Sequence, residues 1–98
     1  MARFDVMATR DGALVLDCQA NLLSRLRSRF VVPLFPVAAS PVLGDRLNPI
    51  LDLPDGRYVM VTQAAATIDV REIDRIVVSL AEAESAIMNA LDMLLTGY

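Results

Sequence analysis

The chain has 98 residues, 55% of them hydrophobic, with nine arginines, no lysine or histidine, twelve carboxylates and a net charge of −3. That length allows one core and not two, since a chain of this size buries roughly 60–65% of its unfolded surface, so a single domain over residues 1–98 is expected. The acidic balance argues against direct nucleic-acid binding, which rests on neutralising phosphates, and no apolar run approaches the roughly 18 residues of a membrane span. A mean hydropathy of +0.48 in so short a chain predicts that some apolar surface is covered by another copy.

Met1 to Val6 runs directly into alternating residues without the apolar core of a secretory signal, which predicts a cytoplasmic protein. Arg3 to Thr9 alternates loosely. Asp11-Gly12 separates it from Ala13 to Gln19, where Leu14, Leu16 and Cys18 point one way and Asp17 and Gln19 the other. Alternation on both sides of Asp-Gly predicts a hairpin. The lone Cys18 has no partner for an internal disulfide and reads as a buried strand residue.

Asn21 to Ser28 is a polar connection carrying the exposed-looking pair Leu22-Leu23 and leading into Arg25, Arg27 and Arg29, which read as a solvated strand entrance. Phe30-Val31-Val32 predicts a third strand, cut by Pro33, which has no amide to donate and so suggests an edge or a bulge. Phe35 to Asn48, with Pro36, Pro41 and Gly44, reads as a long irregular connection with room for a short strand. Pro49 to Leu53 and Arg57 to Thr62 flank the turn Pro54-Asp55-Gly56 and predict a second hairpin. Gln63 to Val70 can continue that strand past an alanine-rich bend, and Ile73 to Val78 adds an apolar run of either strand or short helix.

The last twenty or so residues predict a helix. Ser79 and Glu82 have capping-box spacing, which starts it near Leu80, and Leu80, Ala83, Ala86/Ile87, Met88, Ala90/Leu91 and Leu94/Leu95 recur as one apolar stripe. Gly97 sits where a left-handed residue closes a helix, and Tyr98 follows it. The sum is five to seven strands and one C-terminal helix, a mainly β (α+β) fold.

Chemistry is thin. Without histidine the commonest general base and metal ligand is missing, the glycines at 12, 44, 56 and 97 are isolated rather than forming a phosphate loop, and scattered carboxylates beside one thiol make no ligand cluster. No cofactor, metal site or catalytic residue is expected.

In order and spacing, the chain resembles the CcdB family of bacterial toxin–antitoxin toxins over nearly its whole length. The stretches that carry the resemblance are Leu16-Asp17-Cys18-Gln19, Arg29 to Leu34, Leu47 to Leu51, the turn at Asp55, and Ala86 to Leu91 leading to Gly97. The resemblance implies an antiparallel sheet partly rolled like an SH3-type barrel, crossed by the C-terminal helix and forming a homodimer. It implies a toxin that is not an enzyme, binds the A subunit of DNA gyrase, traps its cleaved-DNA complex, and is neutralised by a cognate antitoxin. The gyrase-binding surface carries over to Leu22, Leu23, Asn89, Leu95, Thr96, Gly97 and Tyr98. Family members end in Trp-Gly-Ile, their tryptophan stacking on a gyrase arginine; this chain has Thr96 there. The alternatives are an inactive or retargeted homologue that still binds antitoxin, an mRNA-cleaving ribonuclease toxin on the same fold using Arg25, Arg27 and Arg29, and a small sheet module that takes a peptide at an open edge.

Overall fold

Both hairpins form where their turn residues place them. The computed structural model describes residues 1–40 and 44–97. In it β1 (Asp5–Thr9) and β2 (Leu14–Asp17) meet across Asp11-Gly12, with Val6 opposite Leu16 and Ala8 opposite Leu14. Gly12 has a φ of 91°, a left-handed value open to it because it has no Cβ. Next comes β3 (Ser28–Pro36), followed by the hairpin of β4 (Ile50–Leu53) and β5 (Gly56–Met60) around Pro54-Asp55. The set is completed by β6 (Ala66–Asp69), β7 (Ile73–Ser79) and the helix α1 (Glu84–Thr96). The strands form one curled antiparallel sheet in the order β4-β5-β3-β2-β1-β7, with β6 also paired to β3. Among the described residues no helix is long and apolar enough to cross a membrane.

Pro33 does not mark an edge. It lies inside β3, opposite Val15 of β2, and β3 is long enough to take two partners on its other side: β6 along Ser28 to Val31 and β5 along Leu34 to Pro36. The Pro33 carbonyl accepts the Val61 amide at 3.0 Å. Its ring nitrogen therefore faces the gap where one partner strand gives way to the next, a place where no ladder bond is lost. Gln63 to Val70 likewise does not prolong β5. A 3₁₀ turn at Thr62–Ala64 redirects the chain, and β6 returns along the first half of β3.

The sheet carries apolar residues on both faces. Val6, Leu16, Val32, Leu34 and Met60 form one face and pack with Ile87, Ala90 and Leu91 of α1. Met7, Val15 and Val31 form the other, with Ile68 and Ile73 against them. Each fully buried aliphatic side chain contributes about 1.5–3 kcal/mol. Burial on both faces explains why β1 reads as only loosely alternating: Val6, Met7 and Ala8 are all buried. At the edge, β7 shifts register against β1 twice, between Val6 and Met7 and between Ala8 and Thr9, bulging that keeps its Ile73 to Val77 stretch from templating further pairing and leaves Val78 and Ser79 in regular register.

The helix begins later than the Ser79/Glu82 spacing suggests. Ser79 is still in β7, opposite Asp5, and the Leu80 amide donates to the Phe4 carbonyl at 2.8 Å. Among the described residues the Ser79 hydroxyl accepts only the Ala81 amide, at 3.2 Å, a 3₁₀ turn covers Ala81–Ala83, and α1 starts at Glu84. Strand pairing to β1 holds Leu80 in the core and delays the helix by a turn. The reciprocal capping box falls instead on Asp69 and Glu72, between β6 and β7. Gly97 closes α1 as expected, at a φ of 81°, its amide donating to Met93 O at 2.9 Å. Just before β4 the chain is pinned by Asn48, which is buried and donates through Nδ2 to Met60 O at 3.0 Å and Gln63 Oε1 at 2.6 Å.

Candidate functional site

The connection after β2 folds into a hydrogen-bonded turn although nearly all of it is exposed. A 3₁₀ turn at Asn21–Leu23 leaves Leu22 93% exposed, with Leu23 and Leu26 about half exposed. Apolar side chains held out in water on a defined backbone are a signature of a contact surface. The backbone is held from beneath by Gln19, whose Nε2 donates to Leu23 O at 2.9 Å while its Oε1 accepts the Phe30 amide at 2.9 Å.

Gln19 in turn rests on a buried ion pair. Asp17 Oδ1 accepts the Gln19 amide at 3.0 Å, and Asp17 Oδ2 accepts Arg29 Nε at 3.0 Å and Nη2 at 2.5 Å. Both side chains of the pair are fully excluded from solvent. This corrects the reading of Arg29 as part of a solvated strand entrance; Arg25 and Arg27 are exposed, but Arg29 is internal. Asp17 faces Val31 across the ladder and Arg29 lies two residues along the same face, so the pair is a diagonal cross-strand contact. Arg29 Nη1 has no hydrogen-bond partner.

The other side of the candidate site is α1. Ile87, Ala90 and Leu91 face the core, which turns Asn89 and Thr96 outward on one line, since seven residues make two turns. Met88 and Leu95 form a parallel line beside them. Asn89, Leu95, Thr96 and Gly97 are all exposed, Leu95 by 73%. Ala86 and Leu94, placed by their spacing in the apolar stripe, are both exposed, Leu94 by 39%, and among the described residues none of the helix beyond Leu91 is buried. Tyr98, the remaining expected contact residue, lies outside the described residues.

Arg3 joins the two halves, and nothing in the sequence pointed to it. Its amide donates to Asn21 Oδ1 at 2.8 Å, its Nη2 lies 2.8 Å from Met88 Sδ and 3.9 Å from a Glu84 oxygen, and its guanidinium stands 4.5 Å over the Phe4 ring. Phe4 has a φ of 72°, a left-handed conformation that costs a residue with a Cβ about 1–2 kcal/mol. Burial of the ring and the bonds from Phe4 N–H to Asp17 O (2.6 Å) and from Leu80 N–H to Phe4 O (2.8 Å) hold it there. Leu22 and Leu23 are thereby tied to the Met88–Asn89 turn, and Leu95 to Gly97 lie about 10 Å further along the helix axis.

Cys18 is half-buried just after β2, and burial, reinforced by the Asp17 carboxylate and opposed by Arg3, pushes its thiol up to about 12. A thiol so raised is a poor nucleophile. A cleft of about 760 Å³ at the tip of the first hairpin contains charged groups, but they satisfy one another: Arg10 Nε donates to Arg71 O at 2.7 Å, and Arg71 lies 3.2 Å from Asp69. The Thr9 hydroxyl holds the Asp11 carboxyl below its usual range, and the Arg71 amide and guanidinium do the same for Asp69. Among the described residues no group of three or more His, Cys, Asp or Glu is placed to hold a metal ion.

The fold is similar to that of a solved structure, the Mycobacterium tuberculosis toxin MazF-mt6, at a TM-score of 0.72 and 23% sequence identity over 92% of this chain and 93% of that one. At that identity the likeness is one of fold. No curated protein sequence is significantly similar to the chain. The family described as CcdB protein matches residues 3–97, and the chain therefore belongs to the CcdB family.

Proposed function

We propose that the chain is the toxin of a type II toxin–antitoxin system, a cytoplasmic homodimer that binds the A subunit of DNA gyrase and traps its cleaved-DNA complex until a cognate antitoxin removes it. Family membership across residues 3–97 carries this reading. The toxin-like fold and the exposure of Leu22, Leu23, Asn89, Leu95, Thr96 and Gly97 support it. Thr96 replaces the aromatic side chain the family uses as an anchor, so the aliphatic contacts at Leu22, Leu23 and Leu95 carry a larger share of the binding. Incubating the purified chain at micromolar concentration with gyrase and supercoiled plasmid tests the proposal: linear DNA covalently linked to gyrase is the expected product, and its absence removes the poisoning claim. Growth of cells expressing the chain without antitoxin separates an active toxin from a homologue that only binds antitoxin.

The ribonuclease alternative loses one of its three arginines, because Arg29 is fully buried and committed to Asp17, while Arg25 and Arg27 are exposed. Intact long RNA after incubation with the pure chain is the expected result.

A further inference from the structure

The path of the sheet ends at β4 and β7, and residues of both free edges line one cleft of about 500 Å³. Ile50, Leu51 and Pro54 wall one side and Val78 the other, with Ala83 and Ala86 at the start of the helix above them. The ladders show which backbone groups this cleft receives. The Met60 amide donates to Pro49 O at 3.0 Å, so the bonded pairs of β4 and β5 fall at Leu51 with Tyr58 and Leu53 with Gly56. The amides and carbonyls of Ile50 and Asp52 therefore point away from β5, toward the open edge. On the other side the Leu80 bond to Phe4 makes Val78 and Val6 a bonded pair, which turns the Ser79 backbone away from β1. No strand among the described residues takes up either edge.

The charge at this cleft has one sign. Asp52 and Glu82 are its charged lining residues. Asp52 has a solvent-exposed contact to Arg57 at 3.4 Å, a kind of pair that is easily exchanged, and Glu82 has no ion-pair partner among the described residues. Unpaired strand edges call for an extended backbone, the Leu51, Val78 and Ala83 lining calls for apolar side chains, and the two carboxylates call for a cation. A second copy of this chain meets the first two demands but would bring its own Asp52 and Glu82 to the same seam, where like charges repel. We propose that the β4–β7 cleft binds an extended segment of a partner protein, apolar at alternate positions and bearing arginine or lysine, which adds to these edges as a strand. The four residues of β4 span about 13 Å, so the bound core of the segment is about four or five residues long. This surface is separate from the Leu22 and Asn89 surface and does not depend on gyrase binding.

The test titrates the ¹⁵N-labelled chain with the synthetic peptide acetyl-Val-Arg-Val-Arg-Val-Thr-amide. Saturable shifts of the Ile50, Asp52 and Ser79 amides are expected, with slowed hydrogen exchange at Ile50 and Asp52. Binding should weaken about tenfold or more in Asp52→Arg/Glu82→Arg, and as much when glutamate replaces arginine in the peptide. Ala86→Trp, whose ring fills the cleft from an exposed helix position, should abolish it while leaving the far-ultraviolet circular dichroism unchanged. The proposal is overturned by no saturation up to about 1 mM, by shifts elsewhere on the chain, or by equal affinity for the charge-reversed variant. Shifts of these same amides that follow protein concentration without peptide would overturn it too, by giving the edges to a second copy.

Discussion

Replacing Asp17 by asparagine should cost this domain much of its stability. The substitution keeps the volume and the Oδ1 acceptor that Gln19 uses, but strips the charge from the only partner, among the described residues, of a fully buried guanidinium that already has an unsatisfied nitrogen. Breaking one side of such a pair costs about 3–5 kcal/mol. At roughly 0.05–0.15 kcal/mol per residue, a chain of 98 residues holds about 5–15 kcal/mol in all. With a urea slope near 2 kcal/mol/M, the midpoint should fall by about 2 M at fixed protein concentration, followed by far-ultraviolet circular dichroism. The double variant Asp17→Val/Arg29→Met removes both charges together, and replacements of this kind range from neutral to about 1–4 kcal/mol stabilising. It should therefore be more stable than Asp17→Asn alone. A loss below about 1 kcal/mol in the single variant, or a double variant less stable than the single one, would refute the reasoning.

Leu22→Asp should leave stability within about 0.5 kcal/mol, because the side chain is 93% exposed, yet it should abolish gyrase binding measured by surface plasmon resonance. Thr96→Trp restores an aromatic anchor worth about 2 kcal/mol and should tighten that binding about thirtyfold; an unchanged affinity would show that the helix end does not meet the target. Cys18, at about 12, is about one part in ten thousand thiolate at pH 8, so Ellman's reagent should label it far more slowly in the folded chain than in urea. Because folding raises this group from 9.0, the stability it contributes is full below pH 9 and lost as the pH rises toward about 12.

What the sequence made legible was local. Asp11-Gly12 and Pro54-Asp55-Gly56 carry their turns within a few residues, and Gly97 ends a helix whose stripe is visible in one dimension. The exposure of Leu22 followed from its polar neighbours. Register was not legible, and the corrections follow from that. Asp17 and Arg29 stand twelve residues apart and meet because β2 and β3 pair with Asp17 opposite Val31; no local pattern separates that buried arginine from exposed Arg27. Pro33 depends on which strand lies beside each half of β3, and the late start of α1 depends on Ser79 pairing with Asp5. Arg3, which clamps the loop to the helix, sits near the chain start and bonds to Asn21 and Met88, contacts that exist only after folding.

These contacts also bear on why a buried ion pair belongs in so small a domain. An apolar pair would do as well or better for stability alone, so the pair is better understood through what hangs from it. Asp17 uses one oxygen for Arg29 and the other for Gln19, and Gln19 spends its amide group on Phe30 and Leu23. The loop that holds Leu22 in water has no buried side chain of its own between Ala20 and Arg27, so its shape rests on its own turn bonds, such as Leu23 N–H to Ala20 O at 2.9 Å, and on hydrogen bonds from the sheet below and from Arg3 beside it. A surface already fixed in its bound shape loses less side-chain and loop entropy on association, commonly 0.5–1.5 kcal/mol for each mobile side chain. An arginine, an aspartate and a glutamine buried in series give that loop a rigid base that leucine or valine could not, since apolar side chains offer no directional bond to a carbonyl.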